Sequence, residues 1–382
     1  MLGLFLFVFA RTSFASNKQG LAMTANNYLC AMLDYLVVGL GLAGVSFCET
    51  LERSGKTFTV INDSSQQASK VAGGMFNPVI LKRFTGVWNA EEQLAEMLPF
   101  YSALEKKLGL GLIETFGVMR RFASVEEQND WFSAADKSAL QPYLSTKIHP
   151  NKNPAIKAPF GFGEVLGTGK IDCAKLLTSY NNHLEKNNTI ISETFDYDEL
   201  QVVSDSITYK GLRAKQIVFA EGYGMHRNPY FNYLPLTGTK GEYLIIKAPQ
   251  LNESNAIKAS IFVIPEGNDR YRIGATYKWK DKTNQPTDGA KTELIDKLDA
   301  LVSCDYKVVN QLAGIRPTVT DRRPLVGKHP KYTNIYVLNG FGSRGVMIGP
   351  WASRRLLHFI EEGKPLTPEM DISRFTAKYY SK

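Results

Sequence analysis

Asp34-Tyr35-Leu36-Val37-Val38-Gly39-Leu40-Gly41-Leu42-Ala43-Gly44 decides the fold. A short apolar run rich in strand formers ends at a GxGxxG turn. Beyond it Ala43, Phe47 and Leu51 recur at helical spacing, Gly55 supplies a C-terminal glycine, and Thr57-Phe58-Thr59-Val60-Ile61 makes a second strand. This is a complete βαβ opening rather than a solitary glycine repeat. Dinucleotide chemistry requires these residue types. Gly39 permits the tight turn, Gly41 lets the backbone approach a pyrophosphate, and Gly44 lets the helix pack close to the strand. Leu42 and Ala43 open that helix, whose free N–H groups and positive end face the phosphates.

An acid is expected at the end of the second strand, where it holds the adenosine ribose. Asn62 takes that place and Asp63 follows, nineteen residues after Gly44. Asn62 bonds a hydroxyl without the charge-assisted strength of a carboxylate. Asp63 supplies that charge if the strand end turns. No arginine stands beside them to receive a 2′-phosphate, which disfavours NADP.

Around this opening the chain has 382 residues, 44% hydrophobic and 21% charged, an ordinary globular composition with length for two domains. Four separated cysteines and five separated histidines give neither a CxxC nor an HxxxH pattern, so no metal site is expected. The net charge of +8 sits mostly at the end: Ala313 to Lys382 holds twelve Lys/Arg against five Asp/Glu. A basic surface, a region serving an internal anionic ligand, and nucleic-acid binding all fit such a balance. No Lys/Arg run exceeds two residues, which favours the first two readings.

Two more stretches separate FAD from NAD. Ser69-Lys70-Val71-Ala72-Gly73-Gly74-Met75 follows the second strand. Near the C-terminus, Asn339-Gly340-Phe341-Gly342-Ser343-Arg344-Gly345-Val346 lies between a strand, Ile335 to Leu338, and a helix, Trp351 to Ile360. With these segments the chain resembles the D-amino-acid oxidase/glycine oxidase superfamily of FAD-dependent amine oxidoreductases, roughly from Asp34 to Ile360. The resemblance implies a mixed α/β (α+β) chain: a Rossmann-like FAD-binding domain with an inserted antiparallel-sheet substrate domain. It implies that Ser69, Ala72, Gly73, Gly74 and Met75 pass the pyrophosphate and reach the flavin. It implies also that Gly340, Gly342, Ser343, Arg344, Gly345 and Val346 meet the flavin's pyrimidine end. Ile217 to Gly222 resembles the family's returning strand, in which Ala220 and Gly222 allow a close backbone pass. Glu221 stands there where threonine is common. No cysteine lies between Gly314 and Gly327, near the Gly-x-Arg-Pro segment, so FAD is expected to be non-covalent.

Ala313-Gly314-Ile315-Arg316-Pro317 resembles the family segment whose arginine binds the substrate carboxylate. A guanidinium fork matches a carboxylate with two parallel hydrogen bonds; the alternative is a salt bridge. Arg344 is a second cation near the flavin, for substrate or for holding the loop. Arg322 and Arg323 are left unassigned. Alternating segments Tyr243 to Ile246, Ile261 to Ile264 and Tyr271 to Tyr277 predict an antiparallel sheet. Strand spacing puts Tyr277 and Trp279 on one face, lining the cavity or packing in the sheet. The FAD-binding domain is expected over 32–78, 160–224 and 311–382, and the substrate domain over 79–159 and 225–310.

The implied reaction oxidises the C–N bond of a small carboxylated amine or amino acid. A hydride passes to flavin N5, the imine hydrolyses, and molecular oxygen or another acceptor takes the electrons. No catalytic side chain is expected, since the chemistry is flavin-centred. The alternative resembles the FAD domain of the bifunctional tRNA wobble-uridine modification enzyme, and only that reading involves a nucleic acid. Leu2 to Ala10 is an apolar run too short to span a bilayer. It lacks a basic n-region, so residues 1–31 read as a mis-start or disordered leader of a cytoplasmic protein, exported only if the run is a working signal peptide. No membrane association is expected, and the sequence does not set the oligomeric state.

Overall fold

The computed structural model describes residues 32–380; the leader expected over 1–31 lies outside them. The opening unit forms as β1 (Leu33–Val38), α1 (Leu42–Arg53) and β2 (Phe58–Ile61). β1 pairs in parallel with β2 on one side and with β3 (Leu212–Phe219) on the other. Ile190–Ile191 extends the parallel sheet beyond β2, and the hairpin Leu200–Val202 and Ile207–Tyr209 flanks the start of β3. Val37, Val60 and Val218 are fully buried. A parallel sheet covered on both faces accounts for these near-continuous apolar runs.

The chain then leaves for a second, mainly antiparallel sheet. Its strands include β4 (Thr239–Lys247), β5 (Ala256–Lys258), β6 (Phe262–Gly267), β7 (Arg270–Gly274) and β8 (Lys307–Arg316). The order is β8-β4-β7-β6-β5, continued by Val118–Arg121, Phe162–Val165 and Leu144–His149. Phe162–Val165 and Ala313–Arg316, expected above in the FAD-binding unit, are hydrogen-bonded in this second sheet. An apolar strand pattern states that a strand is buried, not which sheet it joins.

The chain returns as β9 (Ile335–Asn339), parallel to β3, followed by α2 (Gly345–Glu362). Helices α1, α2, Ala90–Leu108 and Cys173–Lys186 bury one apolar core against the first sheet. Phe195, Tyr209, Phe219 and Phe231 fill a second core on its other face. Trp351 of α2 is fully buried and meets Trp88 edge to face at 5.1 Å.

Two element boundaries differ from expectation. α2 begins at Gly345, ahead of the expected Trp351, and runs through Pro350. Proline lacks the N–H that would bond the carbonyl four residues back, that of Val346. The Tyr101 hydroxyl donates to that carbonyl instead, at 3.1 Å. β7 ends at Gly274, so Tyr277 and Trp279 lie outside the strand. The chain stays tied to β4 there by other bonds: Thr276 N–H donates to the Glu242 carbonyl, and Glu242 N–H donates to the Thr276 hydroxyl.

Candidate active site

The glycine turn sits at the C-terminal edge of β1. Gly39 has φ +96°, and a Cβ there would lie 2.7 Å from the Ala220 carbonyl oxygen; one on Gly44 would lie 2.1 Å from the Gly39 oxygen. Only glycine therefore lets β1, α1 and the end of β3 meet so closely. α1 starts at Gly41 with neither a side-chain cap nor an acidic residue in its first turn, and α2 starts at Arg344 in the same way. Apart from the Leu42 N–H, which donates to the Ser69 hydroxyl, the first-turn N–H groups at these two helix starts are suited to electron-rich ligand atoms.

Both helix starts border one cavity of about 670 Å³. Its lining includes Asn62, Asp63 and Thr194, the glycine turn, Ser69 to Met75, and both Arg316 and Arg344. A cradle that side chains would fill, with two uncapped helix ends, fits an elongated dinucleotide. The Leu42 N–H donates to the Ser69 hydroxyl at 3.1 Å, which leaves that hydroxyl's own proton for a phosphate oxygen.

Of the residues expected to meet cofactor or substrate, all line this cavity except Gly44, Gly340 and Tyr277. Gly44 packs the helix on the turn. A Cβ on Gly340 would meet Val319 at 2.6 Å and the Leu325 nitrogen at 3.0 Å, so its role is close packing of β9. Asn62 and Asp63 line the cavity but are also tied to the chain. Asn62 Oδ1 accepts from the Leu40 N–H at 3.1 Å, and Asp63 Oδ2 accepts from the Thr194 hydroxyl at 3.1 Å. They brace the turn as well as lining the cavity.

Sequence reasoning missed Glu221 and Lys258, which both line the cavity. Burial pushes the Glu221 carboxyl up to about 7, although it accepts from Asn228 Nδ2 and the Tyr197 hydroxyl. Its place after Ala220, where threonine is common, was the available signal.

On the substrate side Arg316 ends β8 and is 9% exposed. Its guanidinium lies 4.9 Å from the Tyr277 ring centre and 6.0 Å from that of Tyr243. Its hydrogen bond is a long one, 3.4 Å to the Thr276 carbonyl, and it has no ion-pair partner among the described residues. Gly241 makes room for it: a Cβ there would fall 2.0 Å from the guanidinium. Arg344 also lines the cavity, and burial, then the charges of Arg322 and Arg323, draws its guanidinium below the ordinary value. Outside the cavity, Tyr277 and Trp279 are 45% and 47% exposed, neither lining it nor packed as sheet core. Arg322 lies 5.2 Å over the Trp279 ring, and Arg323 lies 5.1 Å over that of Trp88.

A Rossmann-like sheet with a doubly helix-capped dinucleotide cleft, under an antiparallel wall carrying a buried arginine, defines a flavin-dependent oxidoreductase. The family model described as FAD dependent oxidoreductase (DAO) matches residues 34–358, and the chain belongs to that family. It is an FAD-dependent amine or amino-acid oxidoreductase. Glycine oxidase of Pseudomonas aeruginosa is 22% identical over 353 residues, covering 86% of this chain and 94% of that one. The tRNA 5-methylaminomethyl-2-thiouridine biosynthesis bifunctional protein MnmC of Legionella pneumophila is 22% identical over 87% of this chain, which spans 55% of that protein. Among solved structures, glycine oxidase from Geobacillus kaustophilus shares the fold with a TM-score of 0.70 at 20% identity, covering 90% of this chain and 98% of that one. Iminodiacetate oxidase from Chelativorans sp. does so with 0.72 at 17%, covering 89% and 98%. No helix among the described residues is long and apolar enough to cross a membrane.

Proposed function

We propose that the protein oxidises the C–N bond of a small amine bearing a carboxylate, and that Arg316 holds that carboxylate. The observation carrying this reading is a buried guanidinium lining the cavity with no ion-pair partner among the described residues. Burying a charge without a partner is costly, and a planar carboxylate meets the fork with two charge-assisted bonds. FAD, when bound, supplies the two-electron acceptor for the C–H bond beside the nitrogen. The chain's own residues bind and orient: uncapped helix starts hold the cofactor, Gly241 leaves the space for Arg316, and Tyr243 and Tyr277 flank its guanidinium. The resulting imine takes up water to give a carbonyl compound and an amine. FAD is held without a covalent bond, a reading supported by the absence of Cys48, Cys173 and Cys304 from the cavity lining. Oxygen or another acceptor then removes the electrons.

A second reading is oxidation of a carboxylated amine side chain on tRNA. It is supported by the similarity to MnmC and by Arg322 over the exposed Trp279, an arrangement suited to a base and a phosphate. Anaerobic bleaching of the bound flavin by an amine panel and by modified tRNA tests both. Small carboxylated amines should bleach it, and Arg316→Ala should slow that reduction by about a hundredfold or more while flavin stays bound. Bleaching by tRNA alone establishes the second reading; kinetics unchanged in the variant return Arg316 to a structural role.

A further inference from the structure

Lys258 lies at the end of β5, against the same cavity as Arg316, and has no part in the reading above. Cross-strand register places it. Tyr243 of β4 is opposite Gly274 of β7, Gly274 is opposite Phe262 of β6, and Phe262 is opposite Lys258. Directly opposed residues project from one face of a sheet, so Tyr243, Phe262 and Lys258 form one row; all three line the cavity. The row crosses three strand spacings, about 14 Å. Arg316 lies against the Tyr243 ring at one end, and the Lys258 ammonium lies 4.7 Å over the Phe262 ring at the other. Gly274, between them, adds no side chain to the wall.

The ammonium is poorly matched by the protein. Its hydrogen bond is a 3.4 Å contact to the Ser260 carbonyl, and no carboxylate pairs with it among the described residues. The nearby charges are positive, Arg120 and Lys297, already engaged by Glu127 and Glu293. Burial, with those charges, brings it down to about 8, so it is still cationic at neutral pH. A half-buried cation that lines the cavity and has like charges beside it is suited to an anion from outside the chain.

We propose that the substrate carries two anionic groups, one held by Arg316 and the second held by Lys258 at the far end of the antiparallel wall. This rests on the reading of Arg316 given above. The second group is a terminal carboxylate or a phosphate-type oxyanion, and the spacing calls for an extended molecule.

The test is binding without turnover. The holoenzyme is titrated with straight-chain dicarboxylates from succinate to suberate, with monocarboxylates of matching length, and with the corresponding ω-phosphonocarboxylates, following the flavin absorbance. At one chain length the dianion should bind about tenfold or more tightly than its monoanionic match. Lys258→Met should bring that ratio to about one, and Lys258→Arg should retain most of it. The variants' flavin spectra and Tm show that they fold. Which dianion series carries the larger ratio identifies the second group. Monocarboxylates that bind while no dianion gains overturn this proposal and leave the Arg316 reading standing, as does a gain that survives Lys258→Met. If neither series perturbs the flavin, both readings fall.

Discussion

Glu221 shows how one side chain gives the fold a pH dependence. Its carboxyl is raised from 4.5 to about 7, chiefly by burial, with Asp63 adding to the rise and Asn228, Tyr197 and Arg227 opposing it. The folded state therefore holds this proton more tightly than the unfolded chain. That contribution is fully present below about pH 4.5 and is lost as pH rises through about 7. Glu221→Gln, neutral throughout, should flatten the fall in urea midpoint between roughly pH 5 and roughly pH 8, a difference on the order of 2 kcal/mol. An unchanged slope would assign the pH dependence to other groups. At this scale the glycines of the first turn were legible, because only sterics select them. The bonds of Asn62 and Asp63 to Leu40 and Thr194 were not, because Thr194 lies far along the chain.

At the scale of elements, periodicity located β1, α1 and β2 to within a residue or two, since each buries a regular apolar set. It placed the start of α2 late because Pro350 reads as a boundary, and the Tyr101 hydroxyl that replaces the missing donor comes from a distant helix. Strand alternation likewise carried β7 too far, past the point where Thr276 bonds Glu242 outside the ladder. The β1–α1 junction is the closest-packed boundary of the cavity's glycine turn, and the proposed flavin site predicts that binding depends on it. Gly44→Ala drives a methyl group against the Gly39 carbonyl, so α1 must move. Stability should drop by about 1–3 kcal/mol, and flavin content after desalting should fall several-fold. Gly55→Ala is the control. It strains a φ of +65° but meets no atom within 4 Å, so it should cost about 1 kcal/mol and keep its flavin. Equal flavin loss in both variants would show that general destabilisation, not the junction, controls binding.

Across the whole molecule, the basic excess of the last segment divides into two parts. Arg354, Arg355 and Arg374 are neutralised by Glu96, Glu92 and Asp321. Arg316 and Arg344 instead border the cavity, with Arg322 and Arg323 just outside it. Composition alone could not separate these parts, because acids from Glu92 and Glu96 pair across the fold. The cavity is lined from both sheets, so a cofactor bound there would link binding to stability. Adding FAD to flavin-free protein should raise Tm, by the equivalent of about 2.7 kcal/mol at a hundredfold excess over Kd. A Tm indifferent to FAD would contradict the cleft as its site.

Gly39 and Arg344 border one cleft although nearly the whole chain lies between them. During translation the opening βαβ unit leaves the ribosome long before β9 and α2, whose first turn packs Gly345 against Leu42 and completes the cavity lining there. The cavity is thus complete only at the end of synthesis. A nascent chain arrested before Ile335 has the glycine turn but lacks the cavity lining from Asn339 to Met347.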